Sequence, residues 1–404
     1  MSLLSVDEAQ QLVLQHTPVP TAFIEIPLHA ALGKVLAEEI SCDGDSPPFD
    51  KSMVDGYAIR SSDIQAGITS FQVVDEVLAG SVSQYEVKTG QAFSIMTGAP
   101  IPTSADAVVM HEQTTRNATT VQIPVVVKPG QNILLRAAEM KQGEVVLRTG
   151  TSIRPATLGL LASVNRTQVS CFQPVQISLL TTGDEIVEPG EALPAGHIRN
   201  SNASLLQGLI HSAGATPNYL GIARDNREHL LQCIKTGLQS DMLIITGGVS
   251  AGKVDLVPEV LHQLGVEPIF HKVALKPGKP LFFGECGRTL VFGLPGNPVS
   301  SLVGFELFIR PALRKLSGLS TPFLTSLLPA QLQCDFQHRS DRPTYHPVKL
   351  NTALKPWRAA PIAWKGSADL RSISQADSFA VFPPGEVRYA AGDWIEVLSP
   401  FSLS

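Results

Sequence analysis

The sequence predicts a multidomain protein of the α/β plus β class, with an N-terminal helical segment, an inserted β-rich lobe, a mostly parallel α/β domain and a small C-terminal β domain. Three observations carry that prediction. Residues 174–318 alternate continuous apolar runs with amphipathic ones, as a parallel sheet covered on both faces requires. Residues 46–138 instead carry short β-branched runs broken by Gly, Pro, Ser and Thr, and residues 319–404 are strand-like but interrupted by proline.

At the N-terminus, Ser5 and Glu8 form a capping-box pattern that opens a short amphipathic helix ending before Pro18. The stretch "LHAALGKVLAEEI" repeats apolar residues at helical spacing and predicts a second helix within residues 28–40. "FQVVDEV", "DAVVMH" and "VQIPVVVK" read as strands of the lobe, and "SIRPATLGLLASVN" returns to helix. Residues 1–45 and 139–173 are therefore expected to pack as one helical linking domain around the lobe at 46–138. In the α/β domain the expected strands are "VQISLLTTG", "PNYLGIA", "DMLIITGG", "PLFFGE" and "TLVFGLPG". The helices between and after them are "NASLLQGLIHSAGA", "REHLLQCIKTGL", "VDLVPEVLHQLG" and "SSLVGFELFIRPALRKLSG".

Composition narrows the function. With 404 residues, 44% of them hydrophobic and 17% charged, the chain has room for two to four folded domains at ~100–200 residues each. A net charge of −5 argues against a broad nucleic-acid surface. Five separated cysteines without a C-x-x-C pair fit reduced thiols. The N-terminus carries Asp7 and Glu8 where a signal peptide is apolar, and no run approaches the ~18 apolar residues of a membrane span. The expected setting is cytoplasmic, with neither membrane nor nucleic acid as partner. Zincin, serine-hydrolase and Walker A signatures are all absent from the sequence.

The chemistry is written in the loops that follow the predicted strands, where open α/β sheets bind ligands. "TGGVSAG" places Gly247, Gly248, Ser250 and Gly252 where glycines admit backbone N–H groups close to an anion. "TTGDE" contributes Thr182 and Gly183, and "GLPGNPVSS" contributes Pro295, Gly296, Asn297 and Ser300. Lys272, Lys276 and Lys279 in "HKVALKPGKP" supply cations, the first two sharing a face if the segment is extended. Glu185, Asp225 and Asp255 sit beside the same loops. Carboxylates next to an anion site repel the ligand unless a cation intervenes, so a hard ion such as Mg²⁺ is expected to bridge them. Taken singly, each feature also has a plain structural reading: a tight strand-to-helix turn, solvated lysines, a helix cap.

These motifs together resemble the molybdopterin molybdenumtransferase family, the MoeA and gephyrin E-domain proteins. The matching stretches are "SPPFDKSMVDGYAIRSSD", "IMTGAPIPTSADAVVMHEQT", "TTGDEIVEPG", "GIARDN", "TGGVSAGKVD", "ALKPGKPLFFG" and "GLPGNPVSS", in family order over ~300 residues. The resemblance implies four domains, a homodimer, and insertion of molybdate into adenylylated molybdopterin with release of AMP. It makes the α/β domain a molybdopterin-binding domain, and it names molybdopterin adenylyltransferase and molybdoenzymes as partners. It assigns catalytic roles to Asp55, Glu139, Glu185, Asp225, Asp255, Lys272 and Lys276, with Glu185, Asp225 and Asp255 toward the metal. It adds Thr97, Gly98, Arg342 and Ser367 to the substrate-binding set.

The sequence departs from the family at "NILLRAAEM". There the family reads Asn-x-Arg-x-x-Gly-Glu-Asp; here Leu134 replaces the arginine, Ala137 and Ala138 replace Gly-Glu, and Glu139 stands for the aspartate. In the tail, Pro347 replaces a basic residue after Tyr345. Two other readings stay open at this point: a non-catalytic molybdopterin-binding or scaffolding paralogue, which the altered loop would mark, and a molybdopterin adenylyltransferase, against which the long N-terminal half with "DGYA" and "TGAP" argues.

Overall fold

The computed structural model describes residues 3–81, 86–249, 256–320 and 322–399. Its contacts divide the chain into two units. One comprises the residues up to Ala37, Thr149–Arg154 and the chain from Gln168 onward; the other comprises Glu38–Arg148 and Pro155–Thr167.

The first unit is built on a six-stranded sheet. Its strands are β1 (Gln176–Thr182), β2 (Thr216–Ala223), β3 (Met242–Thr246), β4 (Glu267–His271), β5 (Phe282–Cys286) and β6 (Thr289–Leu294), in the spatial order β2-β1-β3-β6-β5-β4. β2, β1, β3 and β6 run parallel, and β5 and β4 close one edge antiparallel. Alternate side chains feed opposite cores, so Met242 and Ile244 pack in one cluster and Leu243 and Ile245 in the other. With both faces covered, the strands read as unbroken apolar runs. α2 (Ser201–Ser212) contributes Leu206 and Ile210 to the first core. α3 (Arg227–Gly237) and α4 (Val257–Gln263) contribute Leu230, Ile234, Val257 and Val260 to the second. Each such aliphatic side chain is worth ~1.5–3 kcal/mol when fully buried.

α1 (Val6–His16) begins at the expected capping box: Glu8 N donates to Ser5 Oγ at 3.2 Å and Ser5 N to Glu8 Oε2 at 2.8 Å. Its buried Val6, Ala9 and Val13 join the α/β core, where Gln10 Nε2 donates to Leu307 O at 3.0 Å. The apolar face of α1 is thus committed to the α/β core. Residues 28–40 do not form the expected helix. A single 3₁₀ turn, Leu28–Ala30, is followed by bridges from Val35 to Ser152 and Leu36 to Cys171, and the N–H groups of Gly33 and Leu36 donate to Ile153 O and Thr151 O. Partners distant in sequence override the local helical spacing. β4 escaped the sequence reading because Pro268 interrupts it, a pattern that fits an edge strand.

The same unit ends in a closed five-stranded barrel of Leu327–Leu332, Arg358–Pro361, Thr344–Asn351, Ser378–Phe382 and Trp394–Leu398. Leu332, Val348, Ala359, Phe382 and Val397 fill it.

The second unit holds a six-stranded sheet in the order Ala107–Met110, Gly56–Ile59, Gln91–Ile95, Ser70–Val77, Thr120–Gln122 and Thr115–Asn117. Tyr57 and Ile59 face one core and Ala58 the other. The expected strand "VQIPVVVK" stops at Gln122, since Pro124 removes a ladder donor. Two short pairs, Ile40–Ser41 with Val145–Leu147 and Lys51–Ser52 with Ile133–Leu134, complete the unit.

Candidate active site

At the carboxyl ends of the parallel strands lies a cavity of about 650 Å³. Thr182 ends β1 there, with Gly183 and Glu185 just beyond. Asp225 follows β2, Gly247 and Gly248 follow β3, and Gly296 and Asn297 follow β6. Four predicted loops therefore converge on one space. Close approach requires glycine at 247, where a Cβ (φ 90°) would stand 2.6 Å from the backbone Thr182 O, while the positive φ of 137° requires it at 183.

The wall of this cavity is internally braced. Asp225 N donates to Asp184 Oδ1 at 3.1 Å, and Arg224 Nη1 donates to the carbonyls of Asp184 and Ile186 at 2.9 and 3.2 Å. Two buried atoms lack a hydrogen-bond partner among the described residues here, Thr182 Oγ1 and Asn202 Oδ1. Sequence reasoning missed Asn200 and Asn202, which line the cavity from the start of α2. The signal was the triplet "NSN" opening a helix, where asparagine caps.

A second cavity, about 510 Å³, shares Asn297 and is lined by Lys276, Lys279 and Arg342, with Pro295, Ser300 and Ser367. The barrel brings Arg342 here: its Nη1 donates to Leu275 O at 3.3 Å, while Lys276 N donates to Pro343 O and Tyr345 N to Lys276 O. Asn297 Nδ2 donates to Ser367 Oγ at 2.9 Å, tying the loop after β6 to the barrel. Trp364 and Lys365, unremarked in the sequence, complete the rim. Ser301, by contrast, turns inward and donates to Pro295 O at 2.7 Å. Lys272 is not among the described residues lining either cavity. The segment is not extended as expected. Lys272 adopts φ 137° and a bend falls at residue 274, so Lys272 and Lys276 do not share one face of a strand.

In the second unit, Asp55 Oδ1 accepts from Thr97 N at 2.6 Å and from Thr97 Oγ1 at 2.7 Å, joining two predicted residues 42 positions apart. The Thr97 N–H, then its hydroxyl, hold the Asp55 carboxyl below the usual aspartate range. Gly98 N donates to Ser52 O. Glu139 Oε2 accepts from Ser46 Oγ at 2.9 Å, and Glu139 Oε1 lies 3.9 Å from Lys51 Nζ. Arg136 in the same altered loop pairs with Asp45 at 2.6 Å. Ala137, at the family's glycine position, adopts φ 59°, so the chain keeps the left-handed turn without the glycine that suits it.

Ser250, Gly252 and Asp255 lie outside the described residues. Among the described residues no group of three or more His, Cys, Asp or Glu gathers into a metal site. Glu185 and Asp225, both lining the larger cavity, nonetheless offer the hard oxygen donors that Mg²⁺ prefers, and the Glu185 carboxylate lies in the space that a Cβ on Gly183 would fill. No helix among the described residues is long and apolar enough to cross a membrane.

Comparison with known proteins supports this architecture along the whole chain. The model of the MoeA N-terminal region (domain I and II) matches residues 4–165, a "Probable molybdopterin binding domain" matches 178–315, and the MoeA C-terminal region (domain IV) matches 329–399. A molybdopterin molybdenumtransferase of Staphylococcus epidermidis is 34% identical over 401 residues, covering 98% of this chain and 95% of that protein. The one from Haemophilus influenzae is 38% identical over 318 residues, 78% of each. The crystal structure of the molybdopterin biosynthesis MoeA protein from Pyrococcus horikoshii OT3 superposes with a TM-score of 0.84 at 31% identity, covering 98% of this chain and 100% of that one.

Proposed function

The chain belongs to the MoeA family of molybdopterin molybdenumtransferases, enzymes of molybdenum cofactor biosynthesis, and on that premise we propose that it inserts molybdate into adenylylated molybdopterin with release of AMP. The observation that carries the reading is the convergence of Thr182, Gly183, Glu185, Asp225, Gly247 and Gly248 on one cavity, next to a second lined by Lys276, Lys279 and Arg342.

The two cavities suit different parts of the reaction. Backbone N–H groups of the glycine loops meet the phosphates of the larger ligand. Glu185 and Asp225, with Asp255, would hold Mg²⁺, which when bound neutralises phosphate charge and polarises the phosphoanhydride. Molybdate is a tetrahedral dianion, and four cationic side chains, Lys276, Lys279, Arg342 and Lys365, favour it in the second cavity where two carboxylates would disfavour it in the first. Asn297, common to both, would keep the two reactants adjacent. Asp55, Thr97 and Glu139 act from the other unit, which in the homodimer is taken to complete the partner's cavity. Molybdopterin adenylyltransferase would supply the substrate and molybdoenzymes would take the product.

The test is incubation of the protein with adenylylated molybdopterin, Mg²⁺ and molybdate. Molybdate-dependent AMP release together with cofactor that activates an apo-molybdoenzyme is expected. Binding without release would return the scaffolding reading, and AMP incorporation from ATP the adenylyltransferase reading.

A further inference from the structure

The first turn of α2 borders the larger cavity. Asn200 caps it, accepting from Ala203 N at 3.2 Å, and Asn202, only 7% exposed, follows two positions later. The Nδ2 of Asn202 lies 2.8 Å from Thr246 Oγ1 and 2.8 Å from Gly296 O. A carbonyl only accepts, so the amide's orientation is determined, and both its N–H bonds are spent. One goes to the end of β3 and the other to the loop after β6. Thr246 Oγ1 continues the network to Pro295 O at 3.4 Å. The remaining atom, Asn202 Oδ1, is buried without a hydrogen-bond partner among the described residues.

A buried acceptor with no donor is destabilising, and native structures leave few of them away from places that meet a ligand or water. Asn202 therefore needs a reason outside the stability of α2. Its donors reach the two loops whose glycines border the cavity, and nothing in the hydrophobic core depends on them. The geometry points to Asn202 as a positioning residue: it holds residues 246–248 and 295–297 at a fixed separation, so that the backbone donors of both loops meet one phosphate-bearing ligand together. The inference rests on reading the larger cavity as the molybdopterin site.

Amide hydrogen exchange of the ligand-free protein tests the positioning directly. Asn202→Ala should accelerate exchange at residues 246–249 and 295–298 about tenfold while the interior of the sheet is unchanged. Asn202→Leu, which keeps the bulk and loses both donors without adding a charge, should do the same. Molybdopterin affinity, read by pterin fluorescence, should fall about tenfold at an unaltered melting temperature. Unchanged exchange in the two loops overturns the inference, as does affinity equal to that of the parent. Faster exchange throughout the sheet with a matching fall in melting temperature would make Asn202 a stability residue and overturn it too. A parent that fails to bind molybdopterin sinks the functional reading instead, and the exchange experiment still decides the role of Asn202.

Discussion

The cavity of the first unit and the acidic loops of the second both carry candidate catalytic groups, but the polar atoms around those groups are spent differently. In the second unit three acids are already engaged: Asp55 by Thr97, Glu139 by Ser46, Asp45 by Gln142 N and Arg136. In the first, buried Thr182 Oγ1 and Asn202 Oδ1 lack hydrogen-bond partners among the described residues, and the carboxylate of Glu185 packs against the bare Cα of Gly183. The difference teaches a division of labour. A region with unspent polar atoms is organised to receive a ligand, whereas one whose acids are held by their own neighbours is organised to present them in a set geometry.

The strongest way to break this comparison is to remove a receiving group. Asp225→Ala should lower molybdate-dependent AMP release about a thousandfold without loss of fold, checked by circular dichroism. A drop below tenfold would mean that the cavity acids are not where turnover is decided.

Acid titration separates the units next. Burial drives the His346 imidazole down to about 4, and His338 is lowered as well, again first by burial. Their neutral forms belong to the folded barrel, so the unfolded chain takes up protons first as pH falls. Stability of the first unit should drop progressively between about pH 6.5 and 4, by about 3 kcal/mol for His346. Asp45 and Asp55 in the second unit have carboxyls held low, so the stability they contribute persists above the ordinary aspartate range and is lost only as pH falls through it. All three tryptophans, Trp357, Trp364 and Trp394, lie in the first unit, so urea unfolding followed by tryptophan fluorescence at pH 7 and pH 5 reads the expected loss there.

Mixing Asp55→Ala with Asp225→Ala chains asks whether the presenting region serves its own cavity or a partner's. If a partner's, random exchange makes half the dimers mixed, each with one intact site of two, and about a quarter of parental activity returns. No recovery after verified exchange confines both groups to one chain. The smallest expected effect is at Ala137. Ala137→Gly relieves the left-handed strain against the added freedom of the unfolded chain, for a gain of about 0.5 kcal/mol in equilibrium unfolding.

Much of the larger cavity was legible in the sequence because glycines and acids fall directly after apolar runs, and strand ends of an α/β sheet converge by topology. Gly183, Glu185, Asp225, Gly247 and Asn297 were found that way and share one space. The capping box of α1 was legible for a similar reason, since both its partners lie within four residues. What escaped depends on distant pairing. The helical spacing of residues 28–40 yields to partners more than a hundred positions away, and the supposed extended run of Lys272 and Lys276 is broken by the positive φ of Lys272 and a bend at residue 274. Asn202 escaped because its importance lies in two bonds, to Thr246 and Gly296, 44 and 94 positions off.

The nested chain path also imposes an order in time. α1 packs against residues 305–316, and Gln10 must wait for a carbonyl 297 residues downstream. At ~5–20 residues per second of synthesis, that is roughly 15–60 s during which the first helix has left the ribosome without the surface it will bury. The unit from Glu38 to Thr167 is complete long before then. The emerging protein therefore carries an orphan amphipathic helix tethered to an already finished neighbour, and its exposed Val6, Ala9 and Val13 make the N-terminus the segment most in need of protection while the rest is made.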